Sequence, residues 1–257
     1  DPIIVHPDVK RMLMQMRAMT AASRTICYAT AVALDVSMRA TDAKVRATAA
    51  ARAALLTPIA KAFSTDIGNE ATSIGVQIHG GMGFIEETGA AQHYRDARIT
   101  QIYEGTNGIQ SIDLVTRKLA ANNGESVWAL LDELKSIVQQ VETSNDPAFG
   151  TTGTKLRDAL ASLERTSRWL LERVTSAPNE ALAGATPYLR LFGATLGGCM
   201  LASEALAARG HHEADPQRYV TLARFFAENI SVQAGALEKT VMDSAEAVNG
   251  ADAVLLS

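Results

Sequence analysis

An all-α fold is what this sequence predicts, and three observations predict it. Aromatic residues make up only 5% of the chain, while 47% is hydrophobic and alanine is abundant; that composition favours close-packed helices over a β-rich core. Apolar residues recur at helical spacing along nearly the whole chain. No stretch alternates apolar and polar residues in the manner of a strand. The expected architecture is an antiparallel helical bundle over residues 1–122, followed by a second helical bundle module over residues 123–257.

The elements follow in order. Pro7-Asp8 opens a helix that runs to about Leu34, with Val9, Leu13, Met16, Thr20, Ser23 and Cys27 on one face and Met12 and Met19 widening it. Residues 35–56 are rich in Ala and Arg, and Thr41-Asp42 caps a short helix ending at Leu56. Thr57-Pro58 fits a fresh N-cap with proline at the first helical position, and fits a kink as well. Ile59, Phe63, Ile67, Ala71, Ile74 and Ile78 then keep a helical period. Gly80-Gly81 ends that helix, because glycine enters the left-handed region without penalty. Glu86-Glu87-Thr88-Gly89 is a turn, and Ala90 to Ala97 a short helix whose Arg95, Asp96 and Arg98 pair with each other or with the helix dipole. Ile99 to Glu104 is extended or irregular. Thr106 caps a further helix with Ile109, Ile112, Val115 and Leu119 on its apolar side.

Asn122-Asn123-Gly124 marks the boundary. Beyond it, Val127, Leu130, Leu131, Leu134, Ile137, Val138 and Val141 form one amphipathic stripe. Thr143 to Thr154 reads as a loop. Leu156, Leu160, Leu163, Ser167, Leu170 and Val174 form a second stripe, and Ala177-Pro178-Asn179 turns the chain. A third helix ends near Gly210; its Gly193, Gly197 and Gly198 admit a close neighbour. Asp215-Pro216 starts a fourth, through Leu222, Phe226, Ile230, Leu237 and Val241.

Net charge is −4. No basic stripe stands out, so nucleic acid is not an expected partner. Cys27 and Cys199 are far apart, and both lie in helical patterns. Each reads as a small buried hydrophobe in a reducing, cytoplasmic setting rather than as half of a disulfide. No signal peptide is visible. The most apolar region, Ala181 to Ala208, is interrupted by Pro187, Arg190 and Glu204, and reads as a buried helix rather than a membrane span. The chain opens on Asp1 rather than Met, as a piece of a longer polypeptide would. No metal site is expected: two distant cysteines make none, and His211-His212 lacks a third ligand and reads as a solvated loop. Gly80-Gly81-Met82-Gly83 follows a helix instead of a strand, so the dinucleotide fingerprint fails. A P-loop and a nucleophile elbow are also missing.

Three blocks carry a resemblance. They are Gln77-Ile78-His79-Gly80-Gly81-Met82-Gly83-Phe84, then Tyr94-Arg95-Asp96-Ala97-Arg98-Ile99, then Ile102-Tyr103-Glu104-Gly105-Thr106 with Ile109-Gln110. In order and spacing they resemble the C-terminal helical domain of acyl-CoA dehydrogenases, best over about Pro58 to Leu119. The region from about Gly124 onward is similar to the extra helical module of the longer bacterial members, which also carry an insertion like residues 35–56. The resemblance implies FAD as cofactor, an acyl-CoA thioester as substrate, and an electron-transferring flavoprotein as electron acceptor. It implies a homodimer or a dimer of dimers. Glu104 matches the family base that removes the α proton, and Gly105 lets the backbone approach the thioester. Gln77, Ile78, His79, Gly80 and Gly81 match the segment that touches FAD from the partner subunit. Thr106, Asn107 and Gly108 match flavin-contacting positions after the base. His79 stands where an apolar residue is expected, so no specific role is expected of its side chain; Gly108 stands where many relatives have Gln, so a side-chain contact there is lost and only backbone is left. The family's two upstream domains, and the arginine that grips the flavin pyrophosphate, are absent. The expectation for this chain alone is therefore weak flavin binding and no turnover. An acyl-CoA oxidase and a non-enzymatic dimerisation module of the same fold remain as alternatives. The chemistry implied for Glu104 needs a carboxylate held out of water, because burial raises its pKa toward that of a useful base.

Overall fold

The computed structural model describes residues 1–211 and 215–256, and the described residues are helices and their connections, without a strand. The His211-His212 pair lies partly outside the described residues. Two long helices organise the rest. Helix α1 spans Pro7–Arg39, with Pro7 in its first turn, where the missing N–H costs nothing. Helix α2 spans Ala43–His79. Asp42 caps it, its carboxylate accepting from the N–H groups of Lys44 at 2.7 Å and Val45 at 3.0 Å. Three residues join the pair, so α2 folds back along α1 as a helical hairpin.

Two expectations need correcting here. Residues 43–79 are one helix, not two; Pro58 lies inside it. Proline removes a hydrogen bond mid-helix. The helix continues because Leu55, Leu56, Ile59, Ala62 and Phe63 around it are all buried in the core. The buried face of α1 is also not the expected one. Ala18, Met19, Ala22, Thr25, Ile26, Thr30 and Ala33 face inward, whereas Thr20 and Cys27 are exposed and Leu13, Met16 and Ser23 only half-buried. Small residues win that face because neighbouring helices come close: a Cβ at Gly197 would sit 3.0 Å from the Cβ of Ala22. Cys199 is buried, as expected for both cysteines.

After α2 come three short helices, α3 (Gly81–Phe84), α4 (Ala90–Arg98) and α5 (Asn107–Asp113). The charges near the end of α4 do not pair among themselves. Arg95 reaches back to Glu86 at 2.7 Å, and Arg98 donates to Gln101. A π-helical stretch follows α5 and buries Leu114, Val115 and Leu119, while Ile109 and Ile112 stay exposed. Asn122, Asn123 and Gly124 are all left-handed, and a hard turn results. A Cβ at Gly124 would meet Trp128 at 2.8 Å.

Helices α6 (Glu125–Thr143), α7 (Thr152–Ser176), α8 (Pro178–Ala183), α9 (Ala185–Ala208), α10 (Pro216–Asn229) and α11 (Ala234–Asp243) follow, with short turns α12 (Ala245–Asn249) and α13 (Asp252–Leu255). Every residue of the expected α6 stripe is buried. The fourth expected helix is broken between α10 and α11 by a 3₁₀ turn at Ser231–Gln233. Helix α9 is the centre of the molecule. By length and composition it is apolar enough to cross a membrane, yet most of it is buried by the helices around it. One hydrophobic core runs through both halves, from Ile26 and Phe63 to Phe192 and Phe226. The approach is closest at Gly193, where a Cβ would stand 2.3 Å from the Phe63 ring.

Candidate functional site

The loop carrying Glu104 is built from α2 outward. Lys61 and Thr65 lie about one turn apart on α2 and share a face, with Asp66 in the neighbouring row one turn beyond Ala62. Asn107 reaches into that face and uses its whole amide. Its Nδ2 donates to Ala62 O at 3.2 Å, Thr65 Oγ1 at 2.9 Å and Asp66 Oδ1 at 2.7 Å. Its Oδ1 accepts from Lys61 Nζ at 2.7 Å and Thr65 Oγ1 at 3.2 Å. Lys61 Nζ also donates to Gly105 O at 2.8 Å, and Gln101 Nε2 to Asp66 Oδ1 at 2.6 Å. Both ends of the segment Gln101–Asn107 are thus pinned to one stretch of helix. Partial burial pushes the Lys61 ammonium below its usual range, against the opposing pull of Asp66 and Glu104.

Within this clamp, Glu104 has φ of +51° and Gly105 φ of +83°. A left-handed glutamate is uncommon and is held there by its surroundings. Gln110 Nε2 donates to Glu104 O at 3.4 Å. Thr106 caps α5, its hydroxyl accepting from Ile109 N at 3.3 Å. Gly105 is favoured by its φ, and a Cβ there would lie 3.2 Å from the Gln110 amide nitrogen, which would have to shift slightly. The clamp residues Lys61, Thr65 and Asp66 are the part that sequence reasoning missed. Their spacing on α2 was legible, but nothing in the sequence said that Asn107 would meet them.

The Glu104 carboxylate is exposed in this chain, not held out of water by its helices as expected. No element among the described residues covers it. Asn107, at a position expected to contact flavin, spends both polar atoms of its amide on α2, which leaves its backbone for a cofactor.

The other half of the candidate site is the end of α2. Gln77 and His79 are exposed and Ile78 is half-buried. The His79 Nδ1 lies 2.7 Å from Gly75 O, so that nitrogen carries the proton. Gly80 has φ of +59° and ψ of −143°, a conformation open essentially to glycine alone. Gly80 and Gly81 have no atom within 4 Å of an added Cβ, so their backbone faces open space. The packing glycine is Gly83, where a Cβ would meet Val76 O at 2.3 Å. One chain does not bring the two halves together. Asp66 and Gly80 are 14 residues apart on α2, about 21 Å along its axis. Around both halves lies exposed apolar surface, including Phe84 at 82%, Met82 at 57% and Ile109 at 55% exposure.

An all-helical core, a glycine turn closing a long helix, and a clamped loop with a left-handed glutamate define the class as a helical domain that contributes to a larger site. The chain belongs to the acyl-CoA dehydrogenase family. Residues 1–119 match the family described as acyl-CoA dehydrogenase, C-terminal domain, and residues 130–252 match acetyl-CoA dehydrogenase C-terminal like. The chain is 38% identical over 252 residues to 3-methylmercaptopropionyl-CoA dehydrogenase of Ruegeria pomeroyi, covering 96% of this chain and 42% of that protein. It is 30% identical over 239 residues to a butyryl-CoA dehydrogenase of Syntrophomonas wolfei, covering 89% and 38%. Its fold matches an acyl-CoA dehydrogenase from Bacillus anthracis solved with FAD, at a TM-score of 0.74 and 20% identity, over 94% of this chain and 43% of that one. The chain spans less than half the length of these relatives.

Proposed function

We propose that this chain is the C-terminal region of a flavin-dependent acyl-CoA dehydrogenase, in which Glu104 removes the α proton of an acyl-CoA thioester. The carrying observation is the left-handed Glu104 on a loop clamped to α2 at both ends. A strained residue held by a dedicated network supports a positioned base. Exposed in this chain, the carboxylate becomes a stronger base when an apolar acyl chain and the family's upstream domains exclude water from it, because desolvation disfavours its charged form. The Glu104 N–H, presented on a fixed loop, is a candidate donor to the thioester oxygen as charge develops there.

The chain fits FAD in part. Gly80 and Gly81 offer bare backbone that no side chain fills, and Gln77–Gly81 would hold the cofactor together with the backbone of Thr106–Gly108. Bound FAD would accept the hydride from the β carbon. The 21 Å between the two halves supports a site shared by two copies, each giving its glycine turn to the other's Glu104 loop. Electron-transferring flavoprotein is the proposed acceptor. Alone, this chain should bind flavin weakly and turn over no substrate.

The exposure of Glu104 favours a second reading, a helical assembly module without chemistry. Glu104→Gln in the full-length protein separates the two. The base reading expects α-proton exchange to fall by about 10²–10⁴-fold, the usual worth of a positioned general base, with acyl-CoA binding retained. Unchanged exchange would leave the assembly reading standing.

A further inference from the structure

A groove of about 780 Å³ runs between the N-terminal half of α1 and the start of α10, well away from Glu104 in sequence. Its charge is one-sided. Lys10, Arg17 and Arg24 line it from α1 and Arg218 from α10, and no Asp or Glu among the described residues lines it. All four cations are exposed. None has an ion-pair partner among the described residues, in a molecule where Arg11, Arg52, Arg157, Arg165 and Arg168 each hold a carboxylate. The net charge of the chain is −4, so this groove runs against the whole. The expectation that no basic stripe exists fails here, because residues seven apart look scattered in a sequence and fall into line on a helix.

The spacing says what kind of anion fits. Lys10, Arg17 and Arg24 recur every seventh residue, a row about 21 Å long. Between them lie Leu13, Met14 and Met16, half-buried, with Leu222 forming the opposite floor. A charged row at heptad spacing beside apolar residues such as Leu13 and Met16 is what flanks the seam that a second helix packs against. An anionic amphiphile carries its charge at one end and would leave most of this row unused. A nucleic-acid backbone matches the charge but not the thioether and leucine floor. Methionine suits a surface that adapts to a partner's side chains.

We propose that this groove is the docking site for an amphipathic helix of a partner protein, with acidic residues at heptad spacing and apolar residues between them. The acids would lie opposite Lys10, Arg17 and Arg24, and the apolar face would cover Leu13, Met14 and Met16.

The test uses this chain with ¹³C-methyl methionine and two synthetic 21-residue helical peptides. One carries Glu at every seventh position with Leu between; the other has Lys in place of Glu. The Glu peptide should bind at least tenfold more tightly than the Lys peptide and shift the Met14 and Met16 methyl signals. The double variant R17E/R24E should weaken binding at least tenfold, and R218E, on the other wall, should weaken it independently. Both variants change exposed side chains, and matching circular dichroism would show that they fold. Equal binding of the two peptides, or binding indifferent to both variants, would overturn the proposal. So would shifts of the same methyls by laurate, phosphatidylglycerol vesicles or duplex DNA without peptide binding. A dimer that dissociates in R17E/R24E would assign the groove to a second copy instead. Failure of the peptide to bind full-length protein, with those methyls already covered, would assign it to another part of the same polypeptide. None of these outcomes touches the role of Glu104.

Discussion

At the scale of single residues, environment decides behaviour more than identity does. The two cysteines show it. Cys27 is exposed, its sulfur 3.6 Å from Ser64 Oγ, while Cys199 is fully buried and its thiol pushed up to about 12 by burial. Thiolate is the reactive form. In native protein a thiol reagent should therefore modify Cys27 and spare Cys199, and unfolding should release the second equivalent; mass spectrometry of labelled peptides reads this directly. Glu204 makes a second case. It is half-buried on α9 without a cationic partner among the described residues, and burial raises its carboxyl pKa above the usual 4.5. The sign follows. A carboxylate whose folded pKa is raised destabilises the fold when ionised, so its cost is present at high pH and vanishes below about pH 4.5. Glu204→Gln should raise the melting temperature at pH 8 and leave it unchanged at pH 4. The opposite holds for Glu164, which Arg168 and then Lys135 hold below its ordinary value. Glu164→Gln should lower the melting temperature at pH 8, with the loss fading as pH falls through the carboxylate range.

Helices and loops reveal what a sequence exposes to view. The α6 stripe was legible because it is made of large aliphatic residues, all of them buried. The α1 face was not, because apart from Met19 and Ile26 its buried side is alanine and threonine, which carry little weight in a search for apolar periodicity. Thr57-Pro58 fitted two readings, and the fresh N-cap failed, since core burial on both sides carried α2 through the proline. The glycine turn and the Glu104 loop were legible as motifs. Their geometry was not: the left-handed φ of Glu104 depends on Asn107 meeting Lys61, Thr65 and Asp66, residues more than forty positions away. The exposure of Glu104 was illegible too, because no apolar spacing tells whether a loop side chain is covered. The clamp can be tested on its own. Asn107→Ala removes every hydrogen bond of the hub and leaves Asp66 and Lys61 short of a partner, at a cost of about 1–3 kcal/mol. Hydrogen exchange over residues 99–107 should speed up while α6–α9 stay protected.

At the scale of the molecule, α9 ties the halves together. Arg190 on α9 pairs with Glu70 of α2 at 3.0 Å, and Glu70 also accepts from Gln15 of α1 at 2.8 Å. The tightest contact is Gly193 against Phe63. Gly193→Ala would force a methyl group into the ring, and overpacking of this kind costs about 1–3 kcal/mol. Urea denaturation should show a lower midpoint with an unchanged slope.

The turn of α2 from Lys61 to Asp66 therefore has two tenants. Phe63 on one side bears on Gly193, and Lys61, Thr65 and Asp66 on the other hold the Glu104 loop. A displacement of that turn by a deeply interred side chain would be transmitted to the proposed base without touching it. Random mutagenesis selected for impaired turnover should then return lesions on the α9 flank of Phe63, remote from any substrate, alongside those at Glu104 itself.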